Sequence, residues 1–119
     1  MSARKSIPTI EIVEKMSREE RRKYLDGRLR DLVAHAYKKA PATKARFDKA
    51  GIAPSRVSGI KDLENLPILR KDELVDLYKA NPPLGGLVAV PMGDLERVYV
   101  SPGPIYDPLP VFGLAPVII

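Results

Sequence analysis

The chain has 119 residues, a formal charge of +5, 45% hydrophobic residues and only 6% aromatic ones, with no Trp and no Cys. Lack of cysteine excludes a disulfide framework, a thiolate metal site and a thiol nucleophile, and points to the cytoplasm; the single histidine leaves little for a His-rich metal site or a Ser-His-Asp arrangement. Twelve prolines are about twice the usual share of roughly 5%, which rules out one uninterrupted helical bundle.

No run approaches the roughly 18 apolar residues that a membrane helix needs, and no apolar stretch follows Arg4 and Lys5 as it would in a secretory signal. Residues 1–50 carry 14 Lys/Arg against 7 Asp/Glu, whereas residues 51–119 carry 6 against 8. A basic half of this kind suits a solvated helical surface, and with less support an acidic partner.

Ile7, Ile10, Ile12 and Val13 form an apolar cluster in the N-terminal stretch, read as an extended arm. Ser17-Arg18-Glu19-Glu20 reads as a capping box, in which a Ser hydroxyl and a Glu carboxylate exchange hydrogen bonds with the first free amides. Leu25, Leu29, Leu32, Val33, Ala36, Tyr37 and Ala40 then recur at helical spacing until Pro41. They predict a helix of about 23 residues, roughly 35 Å long at 1.5 Å per residue, with Gly27 as a possible break.

Three shorter helices follow. Residues 42–50 close on Gly51, a left-handed cap; an element from Ser58 turns Ile60, Leu63 and Leu66 inward and ends at Pro67; residues 71–79 put Leu74, Leu77 and Tyr78 on one side. The last has no capping side chain, since Arg70 stands where Ser, Thr, Asp or Asn would serve. Residues 1–80 thus form a helical segment, and the composition changes after it: residues 80–119 hold eight of the twelve prolines, five of the eight glycines and one basic residue, Arg97.

The one clean strand signal in residues 81–119 is Arg97-Val98-Tyr99-Val100-Ser101, running into Pro102-Gly103-Pro104. The fold class is therefore mainly α, one long and three short helices followed by a Pro/Gly-rich segment with an isolated strand. One strand cannot satisfy its own backbone amides. This predicts strands supplied by another chain, by a second copy or by further polypeptide.

Five pieces in order resemble the N-terminal region of phenylacetate–CoA ligases: residues 28–37, Ala40-Pro41, residues 46–52, residues 60–67 with Lys71-Asp72-Glu73-Leu74, and Gly86-Leu87-Val88-Ala89-Val90-Pro91. The likeness covers about residues 17–108, and implies the N-terminal portion of the α/β adenylate-forming fold. It implies for a complete enzyme the formation of an acyl-adenylate from a carboxylic acid and ATP with Mg2+, followed by displacement of AMP by the CoA thiol. The adenine pocket, the acidic magnesium region and the catalytic lysine of that family have no counterpart among these 119 residues.

One family element does have a counterpart: the phosphate loop, Ser-Ser-Gly-Thr-Thr-Gly-Lys-Pro, matches residues 101–108. Ser101, Gly103 and Pro108 agree; Pro102, Pro104, Ile105, Tyr106 and Asp107 do not. Two prolines remove amide donors, two Thr hydroxyls are lost, and Asp107 repels phosphate where a Lys would attract it. The resemblance thus leaves Ser101 and Gly103 as nucleotide-binding candidates in a vestigial loop. It leaves no catalytic or metal-ligating residue, and no ATP, Mg2+ or CoA is expected on this chain alone.

The segment after Pro108 holds no charged or hydrogen-bonding side chain, and reads either as a docking tail or as the end of a truncated or shifted reading frame. His35 is read as a surface histidine, Asp72, Glu73 and Asp76 as a solvated first turn, and Tyr24, Tyr37 and Phe47 as core. Arg18, Arg21, Arg22, Lys23 and Arg28 are interleaved with acids and lack aromatic neighbours, so nucleic acid is not the expected partner. Two functions follow: an N-terminal fragment of a ligase, inactive alone, or a stand-alone basic helical module that self-associates or docks on a partner.

Overall fold

A computed structural model describes residues 9–110 of the chain. Its helices are α1 (Ile10–Glu14), α2 (Arg18–Lys39), α3 (Pro41–Ala50) and α4 (Lys71–Ala80), and its strands β1 (Leu95–Ser101) and β2 (Ile105–Pro110). Short 3₁₀ turns at Pro54–Arg56, Ile60–Asn65 and Met92–Asp94 link them. The region is mainly helical, as expected, and carries one small sheet.

α2 begins where the capping box places it. The Ser17 amide donates to Glu20 Oε2 at 2.7 Å and the Glu20 amide donates to Ser17 Oγ at 3.2 Å. These bonds favour the Glu20 carboxylate and hold its pKa below the usual range. Glu19 and Glu20 in the first turn and Lys38 and Lys39 in the last complement the helix dipole. The break allowed at Gly27 does not occur, because contacts on both sides of it clamp the helix: Asp26 Oδ1 accepts the Ile60 amide at 2.8 Å, and Arg30 Nη1 donates to the Ser58 carbonyl at 2.8 Å.

Pro41, expected only to stop α2, also opens α3 at its first turn, where its missing amide costs nothing. α3 ends on Gly51 at φ 69°, the left-handed cap expected there. It bridges two apolar clusters. Ala42 belongs to one with Leu74, Tyr78 and Leu87; Phe47 belongs to the other with Val33 and Val57. Tyr37 meets Phe47 edge-to-face, with centroids 6.1 Å apart, and its hydroxyl donates to Asp48 Oδ1 at 2.6 Å. Lys44 binds the other Asp48 oxygen at 2.6 Å, which lowers the pKa of Asp48 and raises that of Lys44.

Four sequence expectations need correction. Ile10, Ile12 and Val13 lie in a short helix rather than an extended arm; Ile7 and residues 111–119, the greater part of the apolar tail, lie outside the described residues. The element after Ser58 is a 3₁₀ turn fastened by Asp62, whose Oδ2 accepts from the amides of Ser58 and Gly59 and the Ser58 hydroxyl, and its Leu63 faces outward. Those bonds also lower the Asp62 pKa. Leu25, assigned to the apolar face of α2, is 39% exposed. Most consequentially, the strand is not isolated: β1 starts two residues earlier than expected and pairs antiparallel with β2 from the same chain.

Candidate functional site: the hairpin at residues 95–110

The hairpin occupies the stretch in which the phosphate-loop resemblance falls. A long strap delivers it. Residues 84–90 run across the helices with Leu84, Leu87 and Ala89 buried, held by the Ala42 amide donating to the Gly86 carbonyl at 3.0 Å. His35 is part of the same fastening: its Nε2 lies 2.7 Å from the Ala89 carbonyl oxygen, so it is half-buried and engaged rather than a free surface histidine. The 3₁₀ turn at Met92–Asp94 then leads into β1.

The register pairs Val98 with Pro108, Tyr99 with Asp107, Val100 with Tyr106 and Ser101 with Ile105. Of the eight residues matched to the loop, only Pro102, Gly103 and Pro104 form the turn. Ser101 is the last residue of β1 and Ile105–Pro108 belong to β2, so the stretch is two strand ends and a tight turn rather than an open loop. Gly103 has φ 151°, outside the range other residues readily adopt, and the Lys71 side chain lies against it: a Cβ there would sit 2.9 Å from Lys71 Cε.

The donor set fits a triphosphate poorly. Pro102 and Pro104 have no amide to offer, Ile105 and Tyr106 are committed to β2, and Asp107 is exposed with its negative charge two strand positions from the turn. Ser101 and Gly103, the two candidates drawn from the resemblance, are exposed at the turn, and neither lines the apolar groove beside Tyr78 or the groove over the start of α2.

Sequence reasoning missed what anchors the hairpin. Tyr78, on α4, stacks edge-to-face on Tyr106 with centroids 5.0 Å apart. Its hydroxyl accepts from the Tyr106 amide and donates to the Tyr106 carbonyl, each at 3.3 Å. Beside it lies an apolar groove of about 580 Å³, lined by Val75, Tyr78, Pro82, Pro83, Val98 and Val100 among others. A signal was available: Tyr78 falls on the apolar face of α4, and a buried Tyr needs a partner for its hydroxyl.

A second groove of about 570 Å³ runs over the start of α2, lined by Arg18, Arg21, Arg22 and Lys23 with Glu19, Leu25 and Ile60. Arg22 is paired with Asp26 at 3.5 Å and Arg21 donates to the Glu14 carbonyl at 3.5 Å. The acidic trio at α4 is a capped helix start, where Glu73 Oε2 accepts the Arg70 amide at 2.7 Å. No group of three His, Cys, Asp or Glu side chains is arranged to hold a metal among the described residues, and no described helix is long and apolar enough to cross a membrane.

No protein-family model matches the chain. It is 35% identical over 91 residues to a phenylacetate–coenzyme A ligase of Thermus thermophilus, covering 76% of this chain and 19% of that protein. It is 34% identical over 94 residues to the enzyme of the same name from Aromatoleum evansii, covering 79% and 20% respectively. Among solved structures, 2-hydroxyisobutyryl-CoA ligase in the postadenylation state with 2-HIB-AMP superposes with a TM-score of 0.76 and 27% identity, over 89% of this chain and 24% of that one. The chain spans about a fifth of the length of the curated relatives it matches. Sequence and fold agree on one assignment: over most of its length this chain matches the N-terminal region of adenylate-forming CoA ligases, of the phenylacetate–CoA ligase kind.

Proposed function

We propose that this chain is the N-terminal segment of an acid–CoA ligase that joins a carboxylic acid to CoA through an acyl-adenylate, and that it is inactive by itself. The observation that supports the reading is the hairpin at residues 95–110, which falls in the stretch resembling the family's phosphate loop, in a chain that spans about a fifth of its relatives' length. ATP with Mg2+ would supply the activated phosphorus and CoA the thiol in a complete enzyme. This chain's contribution is scaffolding: α2, α3 and α4 hold the strap and the hairpin in place.

In this reading residues 1–80 are the helical support and residues 81–119 the part that approaches the nucleotide. Ser101 and Gly103 keep the position of phosphate ligands without the surrounding amides, hydroxyls and loop lysine that would make them effective. The purified chain therefore shows no ATP–pyrophosphate exchange with phenylacetate or benzoate at millimolar ATP and Mg2+. Exchange above a protein-free control, abolished by Ser101→Ala, would contradict this.

A second reading, a stand-alone basic module, draws on the arginine-lined groove at α2. It requires a partner bound in a salt-sensitive way, since exposed charge pairs weaken steeply with ionic strength.

A further inference from the structure

Tyr106 presents both backbone groups to the Tyr78 hydroxyl, so they point outward from the sheet, and the Val100–Tyr106 pair is not bonded to itself. Alternation then puts Pro108 and Pro110 on the same outward set, where proline has no amide to offer. Within β2 the Tyr106 amide is therefore the one that faces away from β1. α4 answers it with a single hydroxyl, placed by the edge-to-face contact of the two rings.

That hold is weak where the rest of the strand is firm. One phenol oxygen serves a donor and an acceptor at 3.3 Å each, beyond the usual range of about 2.7–3.2 Å for N–H···O and about 2.5–3.0 Å for O–H···O. Burial falls along β2 toward the turn: Pro108 and Pro110 are buried, Ile105 and Tyr106 half-buried, and Pro102, Gly103 and Pro104 exposed. At the turn the Lys71 side chain lies against Gly103, a flexible support. The two strands, by contrast, are joined by bonded pairs on both sides of Val100–Tyr106, Tyr99 with Asp107 and Ser101 with Ile105.

We propose that the Tyr78 hydroxyl is a catch. When it lets go, the tip of the hairpin, residues 100–106, swings off α4 on the buried base at Pro108 and Pro110, and the strands stay paired. The turn of Pro102, Gly103 and Pro104 thus changes its distance from α4 without unfolding. Every contact in this device is made within residues 71–110, and it rests on the hairpin geometry rather than on the ligase reading.

Backbone amide hydrogen exchange of the isotope-labelled full chain tests it, since local opening exposes the amides that the opened contact protected. In the wild-type chain the Tyr106 amide exchanges faster than the ladder amides of Tyr99 and Asp107. Tyr78→Phe keeps the ring and removes the hydroxyl; it speeds Tyr106 by about tenfold and leaves Tyr99 and Asp107 within about twofold. Tyr106→Phe keeps the ring and the backbone groups, and leaves all three rates within about twofold. Equal wild-type rates at the three amides overturn the proposal, and that comparison decides the matter if either variant fails to fold. So does an unchanged Tyr106 rate in Tyr78→Phe, which denies the hydroxyl its role. A common acceleration of all three amides also overturns it, because the strands then part together, as does a Tyr106→Phe rise equal to that of Tyr78→Phe.

Discussion

Replacing Phe47 with Ala lowers the free energy of unfolding by about 3–5 kcal/mol. Phe47 is 3% exposed and joins Val33 on α2 to Val57 on the connection after α3, with Tyr37, Ile52 and Leu66 packed around them. Truncation removes the transfer free energy of the ring and leaves a cavity, because the backbones of α2 and α3 are tied by the turn at Ala40 and cannot close on it. It also removes the edge-to-face contact with Tyr37, worth about 0.5–1.5 kcal/mol beyond burial. A domain this size has about 5–15 kcal/mol in all, so the midpoint in urea falls by a large fraction. A loss below about 1 kcal/mol would mean that the two helices do not meet through this residue.

Gly85→Ala is expected to cost about 2–3 kcal/mol, more than its size suggests. Gly85 has φ 67°, a conformation that costs an L-residue roughly 1–2 kcal/mol. A Cβ there would lie 3.0 Å from the Leu77 backbone carbon and 3.1 Å from its carbonyl oxygen, atoms of a helix that cannot step aside. Its amide also donates to the Asn81 carbonyl at 2.7 Å, so the strap cannot shift without losing that bond. Gly93 is the control: a Cβ there meets nothing within 4 Å and its φ is not positive, so Gly93→Ala leaves the urea midpoint nearly unchanged. Equal effects at the two positions would contradict the placement of the strap against α4.

The helical part was legible because its signals are local. A capping box at Ser17, a proline at 41 and a glycine at 51 each act through the backbone within a turn or two, and the structure reproduces all three. What the sequence hid depends on partners distant in the chain. β2 was missed because Ile105-Tyr106-Asp107-Pro108-Leu109-Pro110 carries two prolines, which ordinarily argue against a strand. Their positions on the outward set make them harmless, and that can be seen only once the register with β1 is known. His35 was misread for a like reason, since its partner, the Ala89 carbonyl, is 54 residues away. The resemblance drew attention to residues 101–108, but did not show that a turn of three residues and a strand take up most of it.

The loss of loop character ties fold to function here. A phosphate cradle needs several free amides pointing into one concavity. In this hairpin Tyr106 spends its amide on Tyr78, Pro102, Pro104 and Pro108 have none, and the turn keeps only Gly103. The Lys71 side chain lies against Gly103 from the start of α4 and is not part of the matched stretch.

Titration of the isotope-labelled full chain with MgATP, followed through the backbone amide resonances of Ser101, Gly103, Ile105 and Tyr106, examines this most directly. With both strands laddered and the turn proline-bound, these signals stay in place up to about 5 mM nucleotide. Saturable movement centred on Ser101 and Gly103 would show that the turn opens to surround phosphate, and would contradict the hairpin as described.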